Sequence, residues 1–418
     1  YYQRNRWRFY ERTAVDSKPE DFQTWDTQTL MASAGEQFIQ ALDKPDELFK
    51  IDIKDYAPLL NKGHESEQYR PTLYDLLAHR ALDFYSNTET SLPEPTVLYR
   101  LSVKDGFAPA HQFAKIDFPD AEVNARDLVA TRLYQDLIKR HLASGNSYAL
   151  IDVDLRRLDF AKERAIGSGR DEAYHDALQA ISEKERNKPA STLATAKLAS
   201  LYTEKAGSNP PPNKEHADDY LKAEEICNAA IAKHADSEGA GQCRVILNGI
   251  NQKDLGLQAE EVLPVGGNFR FLLRYRNLDR SFIRIAKLTN AAKKRIENYN
   301  WDERAAVAKA LAKLEPLQTW DTGLPGSADH HPHSVEVIAN GLPADEYVIL
   351  ASDNAEFSMN DHAFVFLPFS VSDLAFVSWG DKNMLEVFVR DRNSGKTVKK
   401  AKVKADSYSW RRGGDKGR

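Results

Sequence analysis

Cysteine is scarce: Cys227 and Cys243 are the only two in 418 residues. Two thiols exclude a multi-bridge disulfide scaffold, and their spacing does not fit a structural zinc site. A basic surplus is also lacking, because the net charge is −5, so nucleic acid is not an expected partner. No stretch reaches the roughly 18 apolar residues of a membrane-spanning helix, and no span is expected. The Gly-x-Ser-x-Gly nucleophile elbow is missing. Gly167-Ser-Gly169 lacks the preceding strand and the Gly-Lys-Ser/Thr of a phosphate loop. These absences point away from an enzyme and from a bound cofactor.

What is present suits an ordinary globular chain, with 42 % hydrophobic and 28 % charged residues and room for two or three domains. The first ten residues hold no initiator Met and no signal peptide. The expectation is a piece of a longer protein, with any export signal upstream.

Residues 1–255 read as an all-α array. Asp26 suits a helix N-cap, followed by a stripe of Leu30, Ala34, Phe38 and Leu42. After Pro71 the pattern predicts Leu73, Leu77, Ala81 and Phe84 inward, with His79, Arg80 and Asp83 outward. Residues 92–119 read as an extended connection. Val129, Leu133, Leu137 and His141 form another stripe that stops at Ser144-Gly145-Asn146. Helices are then expected around 148–165, 170–186, 189–205 and 216–234, with Ser208-Asn-Pro-Pro-Pro-Asn213 as a loop. Small residues at close-packing positions and short turns make this part tetratricopeptide-like.

From Val262 the periodicity changes to two. Asn268–Arg276, Ser281–Lys287, Ser334–Ile338, Glu346–Ala351 and Ala363–Leu367 alternate as strands, predicting an antiparallel β-sandwich over 256–370. A helical insertion is expected near 300–315. Residues 371–418 read as the first strands of a second sandwich. Its centre is a hairpin, Leu385–Val389 and Val398–Val403, around a turn where Gly395 can take positive φ. The fold class is therefore α+β and multidomain.

Several side-chain groups carry residue types suited to chemistry. Asp329-His-His-Pro-His333 has metal-ligating residue types, but adjacent imidazoles converge poorly on one ion, and a polar loop is expected. Ser352, Asp353, Asn354 and Glu356 with Asn360 and Asp361 miss calcium-loop spacing. Asp152, Asp154 and Asp159 fall on different helix faces and read as solvated, as do His175 and His216. Trp7, Phe9, Tyr10, Phe22 and Trp25 read as pinning an N-terminal segment. Cys227 and Cys243 lie on either side of one interhelical turn, which leaves a disulfide and two buried thiols both open.

Asp391-x-x-Ser394-Gly395-Lys396-x-Val398-x-x-Ala401-x-Val403 is similar to the strand–turn–strand of macroglobulin-like domains in the bacterial α2-macroglobulin family, with Thr397 where the family usually has Pro. Gly341-Leu-Pro343 with Tyr347 resembles the family's strand entry, with Asp345 in place of its second Gly. Arg6-Trp-Arg-Phe9, Thr24-Trp-Asp26 and Leu73–Leu82 look like the N-terminal helical part of the very large Bacteroidetes-type versions. The resemblance implies a non-catalytic N-terminal segment of an exported protein, periplasmic, outer-membrane-anchored or extracellular. Its expected neighbours are further macroglobulin-like domains of the same protein, and its expected partners proteases or an envelope protein. The family's Cys-Gly-Glu-Gln thioester is absent, since Cys227 precedes Asn-Ala-Ala and Cys243 precedes Arg-Val-Ile. The alternative expectation is a helical-repeat module that binds a peptide or protein.

Overall fold

The computed structural model describes residues 7, 12, 20–61, 63, 66–87, 99–121, 125–297, 303–326, 328–359, 362–380 and 384–404. It is α+β, with helices in the N-terminal half and mainly antiparallel sheets in the C-terminal half. The chain forms two compact units, residues 1–209 with 218–250 and residues 210–217 with 251–418.

The first unit contains eight long helices among the described residues: α1 Thr27–Gln40, α2 Leu73–Ser86, α3 Arg126–Ser144, α4 Ser147–Arg164, α5 Arg170–Lys184, α6 Thr192–Ser208, α7 Asp219–Lys233 and α8 Glu238–Ile250. Caps set their ends. Asp26 accepts from the Thr29 amide at the start of α1, and Gly145 in the left-handed region stops α3. The span 99–119 holds two single-turn helices, Val103–Gly106 and Ala110–Phe113, where the sequence suggested extended chain.

Three apolar clusters follow the chain. One joins α2, α3 and α4 through residues such as Leu82, Leu137 and Val153. The next joins α4, α5 and α6, and the last joins α6, α7 and α8. Close approach depends on small residues. At Gly239 an added Cβ would lie 2.1 Å from the Thr192 carbonyl carbon, so the start of α8 meets the start of α6 backbone to backbone.

The inward stripe of α2 differs from its expected position. Tyr74, Ala78, Ala81, Leu82 and Tyr85 are buried, and so are Asp75 and His79. Partners on other helices make that burial tolerable. On α4, Asp154 and Arg157 are buried as an ion pair, so the helix is enclosed on more of its circumference than an amphipathic pattern implies.

The second unit has two sheets, β1-β3-β6 and β2-β8-β7-β4-β5, formed by β1 Asp254–Gln258, β2 Val262–Leu263, β3 Phe269–Arg276, β4 Arg280–Lys287, β5 Pro316–Gly323, β6 His333–Ala339, β7 Asp345–Ser352 and β8 Phe364–Val371. All pairs are antiparallel except β2 with β8. Phe271 and Leu273 of one sheet share a core with Ile283, Ile285 and Ile349 of the other, giving a sandwich. Two helices sit between β4 and β5, α9 Asn290–Glu297 and α10 Arg304–Leu311. Val307 and Leu311 pack on Val348 and Leu350, so β7 is covered on both faces. That explains its uninterrupted Tyr-Val-Ile-Leu-Ala run.

The Gly341-Leu-Pro343…Tyr347 motif closes on itself. Tyr347 is 1 % exposed, and its hydroxyl donates to the Pro343 carbonyl at 2.9 Å. A Cβ at Gly341 would meet the Gly266 carbonyl oxygen at 2.2 Å.

Beyond the sandwich, β9 Leu374–Gly380 and β10 Leu385–Asp391 form a separate two-stranded sheet. The expected turn is present, with Gly395 at φ 69° and Ser394 N–H donating to Asp391 Oδ1 at 2.7 Å. The second strand of the expected hairpin is not. Pairing after the turn stops at the Arg390–Thr397 bridge and the bond from Val398 N–H to the Val389 carbonyl. Lys400 then takes a φ of 60°, which breaks extension, and β10 pairs with β9 instead.

Candidate functional site

Two polar stripes at four-residue spacing carry the site. On α2 they are Asp75, His79 and Asp83, and on α4 Asp152 and Arg156. Asp75 acts twice. Its Oδ2 accepts from the Thr72 amide and hydroxyl at 2.9 and 2.8 Å, closing a capping box. Its Oδ1 pairs with His141 Nε2 at 2.8 Å, with both side chains at most 1 % exposed.

One turn further along, Arg156 Nη1 lies 2.6 Å from His79 Nδ1, and Arg156 Nη2 donates to Asp83 at 2.5 Å. A guanidinium only donates, so His79 Nδ1 is the acceptor and the ring proton sits on Nε2. Burial, then Arg70 and Arg156, hold His79 well below the usual histidine range. Its Nε2 is 3.8 Å from Asp152 Oδ2, beyond hydrogen-bond reach. Arg70 Nε approaches the same oxygen at 3.4 Å. Burial raises the Asp152 carboxyl above its ordinary value, against the pull of Arg70 and Arg156.

His79 and Asp152 line a cleft of about 670 Å³ within the helical unit. Its walls include Leu59, Tyr69, Arg70 and Asp83. Chemically, the floor sets an N–H donor beside a carboxyl acceptor, each without a short bond to the other.

The sequence groups fall elsewhere. His79 and Asp83, read as outward-facing, belong to this site. Asp152 belongs to it too, while Asp154 pairs with Arg157 and Asp159 takes bonds from Tyr174 and Lys197, each at 2.7 Å. None of the three carboxylates lies on a merely solvated face, because neighbouring helices supply cations and hydroxyls. His175 is likewise engaged, through Nε2 with the Tyr202 hydroxyl at 2.9 Å. His216 is partly buried beside Glu215. Gly167 and Gly169 take positive φ in the turn before α5.

In the 329–333 loop, His330 pairs with Asn277, His331 donates to the Ala217 carbonyl, and His333 pairs with Asp329. The three imidazoles thus serve three different partners. Among the described residues no group of three His, Cys, Asp or Glu can hold a metal ion. Asp353 pairs with Lys253 and His362, while Asn360 and Asp361 lie outside the described residues. So do Phe9 and Tyr10; Trp7 is 68 % exposed, and Phe22 meets Trp25 edge-on at 6.5 Å. Cys227 and Cys243 are buried free thiols in one cluster between α7 and α8. The bond with Cys243, and burial, push the Cys227 thiol up. Among the described residues no helix is long and apolar enough to cross a membrane.

No protein-family model matches the chain, and no curated protein matches it. Among solved structures, the CARDB domain of a Pyrococcus furiosus protein in complex with di-metal ions is 12 % identical, covering 29 % of this chain and 92 % of that one at a TM-score of 0.17. Alkylpurine DNA glycosylase AlkC of Pseudomonas fluorescens, bound to DNA containing an abasic-site analogue, is 9 % identical, covering 82 % and 96 % at a TM-score of 0.16. Likeness this slight leaves fold and function to the residues of this chain.

Proposed function

We propose that the chain is a non-catalytic docking and scaffold segment of a modular exported protein that resembles the α2-macroglobulin family. In this reading the helical unit is a tetratricopeptide-like docking array, and the sandwich is a macroglobulin-like module. The observation that carries it is the Tyr347–Pro343 closure, which gives the family-like motif a structural task at the entry to the central strand. The Asp391–Gly395 turn gives the second motif its geometry. Both faces of the β9–β10 sheet expose apolar side chains, Phe376 and Leu385 on one and Val377 and Trp379 on the other. Isolated two-stranded sheets are marginal in water, so such faces suit packing within an array of modules.

The test incubates the purified chain, and the full-length protein, with a panel of endopeptidases. The chain should turn over no peptide substrate, and full-length protein should retain cleaved protease on gel filtration. Peptide turnover by the chain contradicts the non-catalytic reading. Free passage of protease activity contradicts the inhibitor scaffold.

A second reading, a helical peptide-binding module on a cell-envelope protein, is favoured by the cleft over His79 and Asp152.

A further inference from the structure

From the geometry of the cleft we infer that it binds a peptide without acidic side chains in extended conformation, clasping one residue's backbone between His79 Nε2–H and the Asp152 carboxylate. The inference rests on the docking reading of the helical unit.

Three observations carry it. First, the donor is built. His79 is 3 % exposed and its Nδ1 is occupied by Arg156, which leaves Nε2–H as the ring's remaining polar atom. Second, the acceptor stands beside it. Asp152 Oδ2 lies 3.8 Å from that nitrogen and accepts one long hydrogen bond, 3.4 Å, from Arg70 Nε. A buried donor costs free energy until a ligand bonds it, and the partly exposed carboxylate beside it keeps acceptor capacity beyond its one long bond from Arg70. Third, acidic side chains outnumber basic ones around the cleft, with Glu67, Asp83, Asp152 and Glu238 against Arg70 and Arg80. An acidic ligand is repelled by such a wall.

An extended residue presents its own N–H and C=O along one edge, as it does in an antiparallel ladder. Its carbonyl takes the His79 proton and its amide donates to Asp152. The apolar wall, with Leu59, Leu60 and Leu76, then receives neighbouring side chains. This is recognition of backbone by side chains, with selectivity left to the walls.

The experiment uses the full 418-residue chain and a pool of hexapeptides acetylated and amidated at their ends, read by titration calorimetry. For the best binder, each backbone amide is replaced in turn by an ester, which removes one N–H. One ester position should weaken binding about tenfold, the worth of a hydrogen bond to a charged group. Asp152→Leu should weaken the parent peptide equally and abolish the difference between amide and ester. His79→Gln, which keeps a donor, should retain more affinity than His79→Leu, and circular dichroism shows whether each variant is folded. Binding without any ester-sensitive position overturns the clasp. So does binding of chitohexaose in place of every peptide, or failure of all pools to bind. Mass spectrometry of the recovered peptide separates the two readings: cleavage contradicts the non-catalytic role and leaves the clasp standing, whereas inert chain with no bound peptide contradicts the clasp alone.

Discussion

Arg156 donates to His79 through a 2.6 Å contact, and this one bond decides which ring nitrogen faces the cleft. With Nδ1 taken, the imidazole behaves as a fixed N–H donor. Burial, reinforced by the neighbouring Arg70 and Arg156, keeps it neutral, so it does not compete with Arg70 for Asp152.

That environment has a consequence for acid stability. A histidine held below its ordinary value is protonated more readily in the unfolded chain, so its stabilising contribution is complete above about pH 6.5 and declines below it. Asp152 has the opposite sign: its folded value is raised, so protonation favours the folded state as pH falls through that value toward the ordinary 3.8. The urea midpoint of the native chain should fall between about pH 7.5 and about pH 5.5, with His79 supplying at most about 1.4 kcal/mol per pH unit. His79→Gln should flatten that slope, and parallel slopes would contradict the assignment.

Arg157 is an anchor of the helical unit. It is 2 % exposed, donates to Asp154 at 2.8 Å and to the Gly106 carbonyl, and lies 4.6 Å over the Phe113 ring. Replacing it by Ala leaves a buried carboxylate alone, and a loss of about 3–5 kcal/mol in chemical denaturation is expected. Restoring stability with a second change, Asp154→Leu, would identify the stranded charge as the cause.

Gly239→Ala places a methyl group where the Thr192 backbone already is. The helices must separate, so a loss of several kcal/mol is expected, in the range of severe overpacking. Gly241→Ala, two residues on, has nothing within 4 Å and should be neutral or slightly stabilising.

Tyr347→Phe removes the bond to Pro343 while keeping the ring, at a cost of about 0.5–1.5 kcal/mol by thermal melting. A neutral result would leave the motif without the closing role assigned to it.

The two cysteines offer a mass test. Both thiols are free in the structure, so intact mass should be unchanged by reductant and rise by two alkyl groups after denaturation. A gain of two hydrogens on reduction would reveal a disulfide.

Much of this architecture was legible. The change of period near Val262 located the strands, and Asp26, Gly145 and Gly395 marked ends and a turn through their local chemistry. The site was less legible because amphipathic reasoning sends charged residues outward. Asp75, His79 and Asp83 at four-residue spacing, facing Asp152 and Arg156 at the same spacing, form a signal only once the two helices are known to meet. The hairpin assignment failed because alternation in Val398–Val403 does not state which neighbour β10 prefers. The added helix α9 was hidden by its Lys-rich, weakly apolar composition.

The most direct measurement is a long-range proton–nitrogen spectrum of the histidine side chains, with His79 assigned by the His79→Gln variant. The account predicts a neutral Nε2–H tautomer for His79 at neutral pH, and a selective shift of its Nε2 resonance when a binding hexapeptide is added. An Nδ1–H tautomer, a doubly protonated ring, or an Nε2 resonance unmoved by saturating peptide would contradict it.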